Sequence, residues 1–251
     1  MRRRKVKDDN MPLMEHIRAL RKVLVVSAYG IALGSVLGWA FSDKIYEYLA
    51  SPVLDLISVS FVTTTPMEPI MVKLKVSIVT GIVVALPILL WQLWSFILPA
   101  LKQNEKKYLY IIVPSSLVLF VLGAAFGFYF VLPIGVKFLL FTGGSIPSTT
   151  MVTQSSYLSF LITFILVFGI LFQLPVVLLL LIRMGIVRPQ TLAKKRKWAF
   201  FGIVAVTMFV SPTPDVVTQF LMAGPVYLLY EISIWLGYIV VKNRDKALSA
   251  S

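Results

Sequence analysis

The chain has 251 residues, 58% of them hydrophobic, with 24 Lys or Arg against 11 Asp or Glu and a formal charge of +13. It has no cysteine and a single histidine, His16, which excludes disulfides, thiolate metal sites and any His–His metal pair. Only 14% of residues are charged, against roughly 25% in a soluble domain. The basic residues flank long apolar runs and form no continuous stripe, which sets nucleic acid aside as a partner and indicates an integral membrane protein in contact with lipid.

Residues 1–22 form a basic N-terminal segment with eight Lys or Arg. The opening Arg2-Arg3-Arg4-Lys5 resembles the start of a signal peptide. The apolar run after it, Val23–Phe41, is longer than the roughly 7–15 residues of a secretory core and is followed by no small-x-small site, so it reads as a retained first span. Further spans of about 20 apolar residues are expected at 76–98, 109–131 and 157–182. A fifth runs from Trp198 to Val210 and a sixth from Val216 to Val241. The resulting membrane domain covers 23–241 and leaves 242–251 as a tail. Basic clusters at 1–22, 99–108, 183–197 and 242–246 mark one side as cytoplasmic, with both termini on it.

The two long connections on the far side, 42–66 and 132–156, include Pro52 and a turn-rich Gly143-Gly144-Ser145-Ile146-Pro147-Ser148. The fifth span is too short, since about 13 residues at ~1.5 Å each cover about 20 Å of a ~30 Å core. It calls for local thinning, a covering partner, or basic residues 194–197 that extend the helix and snorkel. Gly30, Gly34 and Gly38 share one face of the first span, and Gly123 and Gly127 one face of the third. Such faces let helices approach closely, within the monomer or across a dimer. Phe126-Gly127-x-x-Phe130-x-Leu132-Pro133 is echoed by Phe168-Gly169-x-x-Phe172-x-Leu174-Pro175, as chance or as a trace of an inverted repeat.

No P-loop, His-Glu-x-x-His or Gly-x-Ser-x-Gly motif is present, and no catalytic residue, metal ligand or cofactor site is expected. The chemistry must lie in the few polar groups in or near the bilayer. Gln173 falls in the fourth span and Glu231 in the sixth, while Asp215 and Gln219 open the sixth. These four are candidates for docking another transmembrane helix. Internal hydrogen bonding is the alternative, and for Asp215 an N-cap is. No charged partner for Glu231 is evident within the spans. Near the cytoplasmic surface, Glu105 stands among Lys102, Lys106 and Lys107 beside the apolar Phe96-Ile97-Leu98-Pro99-Ala100-Leu101, an acid and a shelf suited to a basic, apolar peptide.

Ordered fragments across 11–242 resemble TatC, the receptor and core subunit of the twin-arginine protein translocase. They are Pro12-Leu13 with His16-x-x-x-Leu20-Arg21; Ser51-Pro52; Phe96-x-x-Pro99-Ala100-Leu101-x-x-x-Glu105; Phe168-Gly169-x-x-Phe172-x-x-Pro175; Leu192 to Lys197; and Pro214-Asp215-x-x-x-Gln219 with Glu231. The resemblance implies an all-α integral membrane protein of six transmembrane helices, a concave bundle with short helices five and six, in the cytoplasmic membrane. It implies that Arg21, Phe96, Pro99, Leu101 and Glu105 bind twin-arginine signal peptides. It also implies that TatA-like and TatB-like single-span subunits dock near helices five and six, that several copies assemble in the complex, and that the proton-motive force drives export of folded proteins. Pro52 would shape the first far-side loop.

Two positions depart from the family pattern. Ala19 stands where a glutamate usually precedes the arginine matched by Arg21, and Gln173 stands where a glutamate is common. An amide hydrogen-bonds but does not titrate. Two other classes stay open at this point. A small-solute transporter would need paired ionisable groups at the midplane, for which only Gln173 and Glu231 are candidates, and a membrane-embedded enzyme would need a nucleophile and base that are not evident.

Overall fold

A computed structural model describes residues 11–54, 60–97, 109–142, 151–211 and 215–249. Apolar runs without access to water must satisfy their backbone internally, and helices do so. The chain begins with α1 (Met11–Ala40), turns at Phe41 into the short α2 (Ser42–Leu54), and reaches the strand β1 (Ser60–Val62). The long α3 (Glu68–Ile97) follows. The third span is α4 (Leu109–Phe126), which passes through a single wide turn, Gly127–Val131, into α5 (Leu132–Thr142). After the strand β2 (Met151–Thr153) come α6 (Gln154–Leu171) and α7 (Leu174–Arg183), the short α8 (Pro189–Lys194), α9 (Arg196–Val210) and α10 (Val216–Ser249). Among the described residues five stretches are long and apolar enough to span: Ile17–Ala40, Glu68–Phe96, Tyr110–Leu139, Gln154–Arg183 and Val216–Lys242. With the 15-residue α9 this is an all-α membrane protein of six spans.

One expectation needs correction and two are refined. The sixth helix is not short. Val216–Ser249 runs 34 residues with Pro225 as its only internal proline, and it carries on past Val241 into the tail segment. The fourth span, with Pro175 inside it, breaks at Phe172 and Gln173, where that proline supplies no N–H. The far-side connections are not only turns. Each holds a helix and a strand, and β1 and β2 pair in parallel with Phe61 opposite Val152. Pro52 lies inside α2 and is half-buried; residues 143–150 lie outside the described residues.

The glycine faces are used within the monomer. α1 and α3 are antiparallel, and a Cβ on Gly34 would stand 2.8 Å from the Gly81 carbonyl oxygen. One on Gly38 would stand 2.8 Å from the Ser77 carbonyl oxygen, and one on Gly30 3.4 Å from the Ala85 Cβ. Each step of four along α1 toward its start is matched by four along α3 toward its end. Gly123 and Gly127 likewise admit Phe164 and Phe168 on α6 and Phe172 just past its end, and Gly169 in return admits the ring of Phe120. The two echoed sequence fragments therefore lie against one another, and each interrupts its helix just before its Leu-Pro.

The core follows from these contacts. Phe128, Val131, Leu132, Leu161, Phe164 and Phe168 are buried together where α4, α5 and α6 meet. A second group, with Leu86, Leu90, Trp94 and Phe120, joins α3 to α4 and α7. Ile203 on α9 packs with Ala223, Val226, Tyr230 and Ile234 on α10.

Candidate functional site

The helix register brings two of the signal-peptide candidates, Arg21 and Phe96, to one end of the bundle. Extending the Gly30–Ala85 match places Ala19 level with Phe96 and Arg21 level with Trp94. Arg21 is exposed and Phe96 is half-buried at the end of α3. Pro99, Leu101 and Glu105 lie outside the described residues. Arg183 closes α7, Lys194 closes α8 and Arg196 opens α9, so the turns between these helices are basic as well.

The docking candidates divide into two places. On the α9–α10 hairpin, Asp215 caps α10, with its Oδ1 accepting the Thr218 N–H at 2.6 Å. Gln219 Nε2 donates to the Val204 carbonyl at 2.6 Å and to Thr207 Oγ1 at 3.0 Å, and so ties α10 to α9. Glu231 has a charged partner after all. Arg196 meets it in a bidentate pair, Nε to Oε1 at 2.8 Å and a terminal nitrogen to Oε2 at 2.9 Å, and the Tyr227 hydroxyl adds a third bond at 3.1 Å. Of the two sequence readings of residues 194–197, a basic loop or an extension of the fifth helix, the extension holds for Arg196, which begins α9 and so lies along Glu231. The short helix is thus fastened to α10 at both ends. Most of it faces outward, with Phe209 90% and Met208 71% exposed and Phe201 exposed beside them.

Gln173 sits elsewhere, at the break between α6 and α7. Its Nε2 donates to the Ser116 carbonyl on α4 at 2.9 Å, and Trp94 Nε1 donates to the Ser116 hydroxyl at 2.9 Å. A carboxylate could make no bond to that carbonyl, since it has only acceptors. Gln173 Oε1 is buried without a partner among the described residues.

One cluster escaped the sequence reading. Glu68, only 5% exposed, accepts the Thr64 N–H at 2.8 Å, the Thr64 hydroxyl at 3.1 Å and the Ser155 N–H at 2.9 Å. A single carboxylate therefore holds the turn after β1 to the first turn of α6, beside the parallel strand pair. The spacing Thr65-Pro66-Met67-Glu68 is that of a helix capping box, the signal that would have marked it. Lys73 pairs with Asp43 at 2.9 Å on the exposed side of the same end.

Against known proteins, residues 15–225 match the family model for the Sec-independent protein translocase protein TatC. The chain is 39% identical to the TatC protein of Carboxydothermus hydrogenoformans, across 94% of this chain and 96% of the relative. It is 38% identical to that of Aquifex aeolicus, across 96% of this chain and all of the relative. The chain belongs to the TatC family. It also matches a crystal structure described as the twin-arginine translocase receptor TatC, at 37% identity and a TM-score of 0.78, with 90% of this chain and 99% of that one covered.

TatC membership assigns the chain to Sec-independent protein translocation as a multi-pass membrane component. The hairpin geometry bears on how that role is built. Glu231 is committed to Arg196 and Tyr227, and Gln219 to α9, so both first serve to set the depth and tilt of the short helix. Arg196→Gln and Glu231→Gln should each lower the melting temperature of the folded protein slightly. The double variant should lose less than the two singles together, because the pair is partly exposed and removal of both charges leaves none unpaired. Thermal melting in detergent measures this coupling; strictly additive losses would show that the pair contributes nothing.

Proposed function

We propose that this TatC-family chain is the receptor and scaffold of a twin-arginine translocase. It binds twin-arginine signal peptides at the cytoplasmic face and gathers single-span TatA-like and TatB-like subunits, in a complex with several copies of itself. Folded proteins are exported at the expense of the proton-motive force. In this reading the chain lies in the cytoplasmic membrane with both termini inside the cell.

The observation that carries this reading is the α1–α3 register, which puts exposed Arg21 and half-buried Phe96 at one end of the bundle, beside the connection that contains Glu105. Glu105 pairs with a guanidinium of the incoming signal through charge-assisted bonds whose planar geometry an ammonium does not reproduce. Phe96, Pro99 and Leu101 take the apolar residues that follow. Ala19, level with Phe96, offers no second carboxylate, so charge recognition concentrates on Glu105.

Partner helices dock along α9 and α10. The 15 residues of α9 cover about 22 Å of a ~30 Å core. Its exposed Phe201, Met208 and Phe209 face a thinned bilayer that another helix can fill. Asp215, Gln219 and Glu231 hold this docking surface in shape, and Gln173 fixes the break behind it.

A photocrosslinker at position 96, with Glu105 intact, tests the receptor reading. It should label a twin-arginine precursor and fail to label one in which the two arginines are lysines. Glu105→Ala should weaken labelling from position 96 more than Glu15→Ala does. Equal labelling of the arginine and lysine precursors would sink the assignment.

A further inference from the structure

A second polar site lies at the opposite end of α3, and the receptor reading makes no use of it. Lys75 is seven residues into α3 and half-buried. Its Nζ donates to Ser155 Oγ and to Ser159 Oγ, both on α6 and both at 2.8 Å. The Ser159 hydroxyl spends its own hydrogen on the Ser155 carbonyl at 2.8 Å, and Thr163 continues the ladder onto the Ser159 carbonyl at 2.8 Å. Two donors then remain unspent among the described residues: the third N–H of Lys75 and the hydroxyl hydrogen of Ser155. Among the described residues no carboxylate pairs with Lys75 either. Glu68 is turned to backbone N–H groups and the Thr64 hydroxyl, and Asp43 to Lys73.

The level of this group in the membrane decides what it meets. The α3 span Glu68–Phe96 has 29 residues, about 43 Å, so about 13 Å of it exceeds a ~30 Å hydrocarbon core. Lys75 lies about 10 Å from Glu68 along the helix. The α1–α3 register sets it level with Ala40, the last residue of α1, next to the exposed Trp39, a residue type that collects at the headgroup boundary. Met71 and Ile78, on the Lys75 side of α3, are 46% and 42% exposed and continue the surface with apolar atoms. A positive charge with two free donors, at headgroup depth and flanked by apolar surface, matches a phosphodiester with acyl chains attached.

We propose that Lys75, Ser155 and Ser159 form a seat for the phosphate of a phospholipid in the leaflet at the strand-bearing end. The ammonium supplies charge and one hydrogen bond, and the Ser155 hydroxyl supplies the second. Ser159 holds the ammonium in place. The lipid headgroup then rests on the seam where α3 and α6 pack, beside the Glu68 clamp.

Native mass spectrometry of the full chain in detergent tests this with phosphatidylglycerol, diacylglycerol and inorganic phosphate as probes. Wild type should retain phosphatidylglycerol and not diacylglycerol. Lys75→Gln should reduce that retention about fivefold, Lys75→Arg should largely keep it, and Lys73→Gln should leave it unchanged. Equal retention by wild type and Lys75→Gln would overturn the proposal. Displacement of the lipid by millimolar inorganic phosphate would reassign the seat to a free anion. Loss of a copurifying partner helix in Lys75→Gln with lipid retention intact would reassign it to a protein carboxylate. If Lys75→Gln does not fold, wild type alone decides, since phosphatidylglycerol must raise its melting temperature and diacylglycerol must not.

Discussion

Gly81→Leu is expected to lower the amount of folded protein in the membrane by about tenfold or more, the factor that ~1.4 kcal/mol produces. Even a Cβ at position 81 would stand 2.6 Å from the Ile31 carbonyl oxygen and 2.7 Å from the Ser35 amide nitrogen, and would also press on the Ser35 hydroxyl. Two of these atoms are backbone of α1 and cannot rotate aside. Overpacking costs about 1–3 kcal/mol where neighbours can shift; here α1 must move away from α3 as a body. α1 has little else to rest on, since only 11% of its span is buried inside the bundle. The displacement would also separate Arg21 from Phe96, so signal-peptide labelling should fall with folding. Gly202→Ala is the control, because nothing lies within 4 Å of the added Cβ. Wild-type abundance and melting of Gly81→Leu would show that the two helices are not in close contact.

Glu68→Ala should be the next most damaging change. It leaves the Ser155 N–H and the Thr64 N–H without their acceptor in a site that water barely reaches. Buried donors left unpaired cost about 1–3 kcal/mol, and more where the partner was charged. A fall in melting temperature of about 5–10 °C in detergent follows for a chain of this size. Glu68→Gln retains one carbonyl acceptor and should lose about half as much. Limited proteolysis should find the connections around β1 and β2 more readily cut in Glu68→Ala, because this carboxylate joins the turn after one strand to the helix after the other. Equal melting and equal cleavage in wild type and Glu68→Ala would remove the clamp from the account of this fold.

The hairpin shows where sequence reasoning reaches its limit. Gln219 and Glu231 stand out in the sequence as polar groups in an apolar helix, and the cost of such groups in lipid predicts a partner for each. The partners themselves were not legible. Residues 194–197 could be seen to extend the fifth helix, but that Arg196 faces Glu231, 35 residues on, depends on how α9 packs against α10. Gln173 is a similar case. Its place in a span is plain, but Ser116 lies 57 residues away on another helix, and the bond between them depends on the break at Phe172 and Gln173. The strand pair was out of reach for the same reason, since three-residue strands carry no periodicity worth reading and β1 and β2 are some ninety residues apart.

The six spans, the short fifth helix, the glycine faces and the family resemblance are all legible along the chain. Each depends on runs of hydropathy, small residues at helical spacing, or ordered short motifs within one stretch of chain. Which groups meet is settled in the folded bundle: Gly34 with Gly81, Gln219 with Thr207, Arg196 with Glu231, Glu68 with Ser155 and Lys75 with Ser159. Lipid drives apolar segments into helices irrespective of their neighbours. The choice of neighbour comes from close packing and from the need of each buried polar group for a partner, and both are properties of two segments at once.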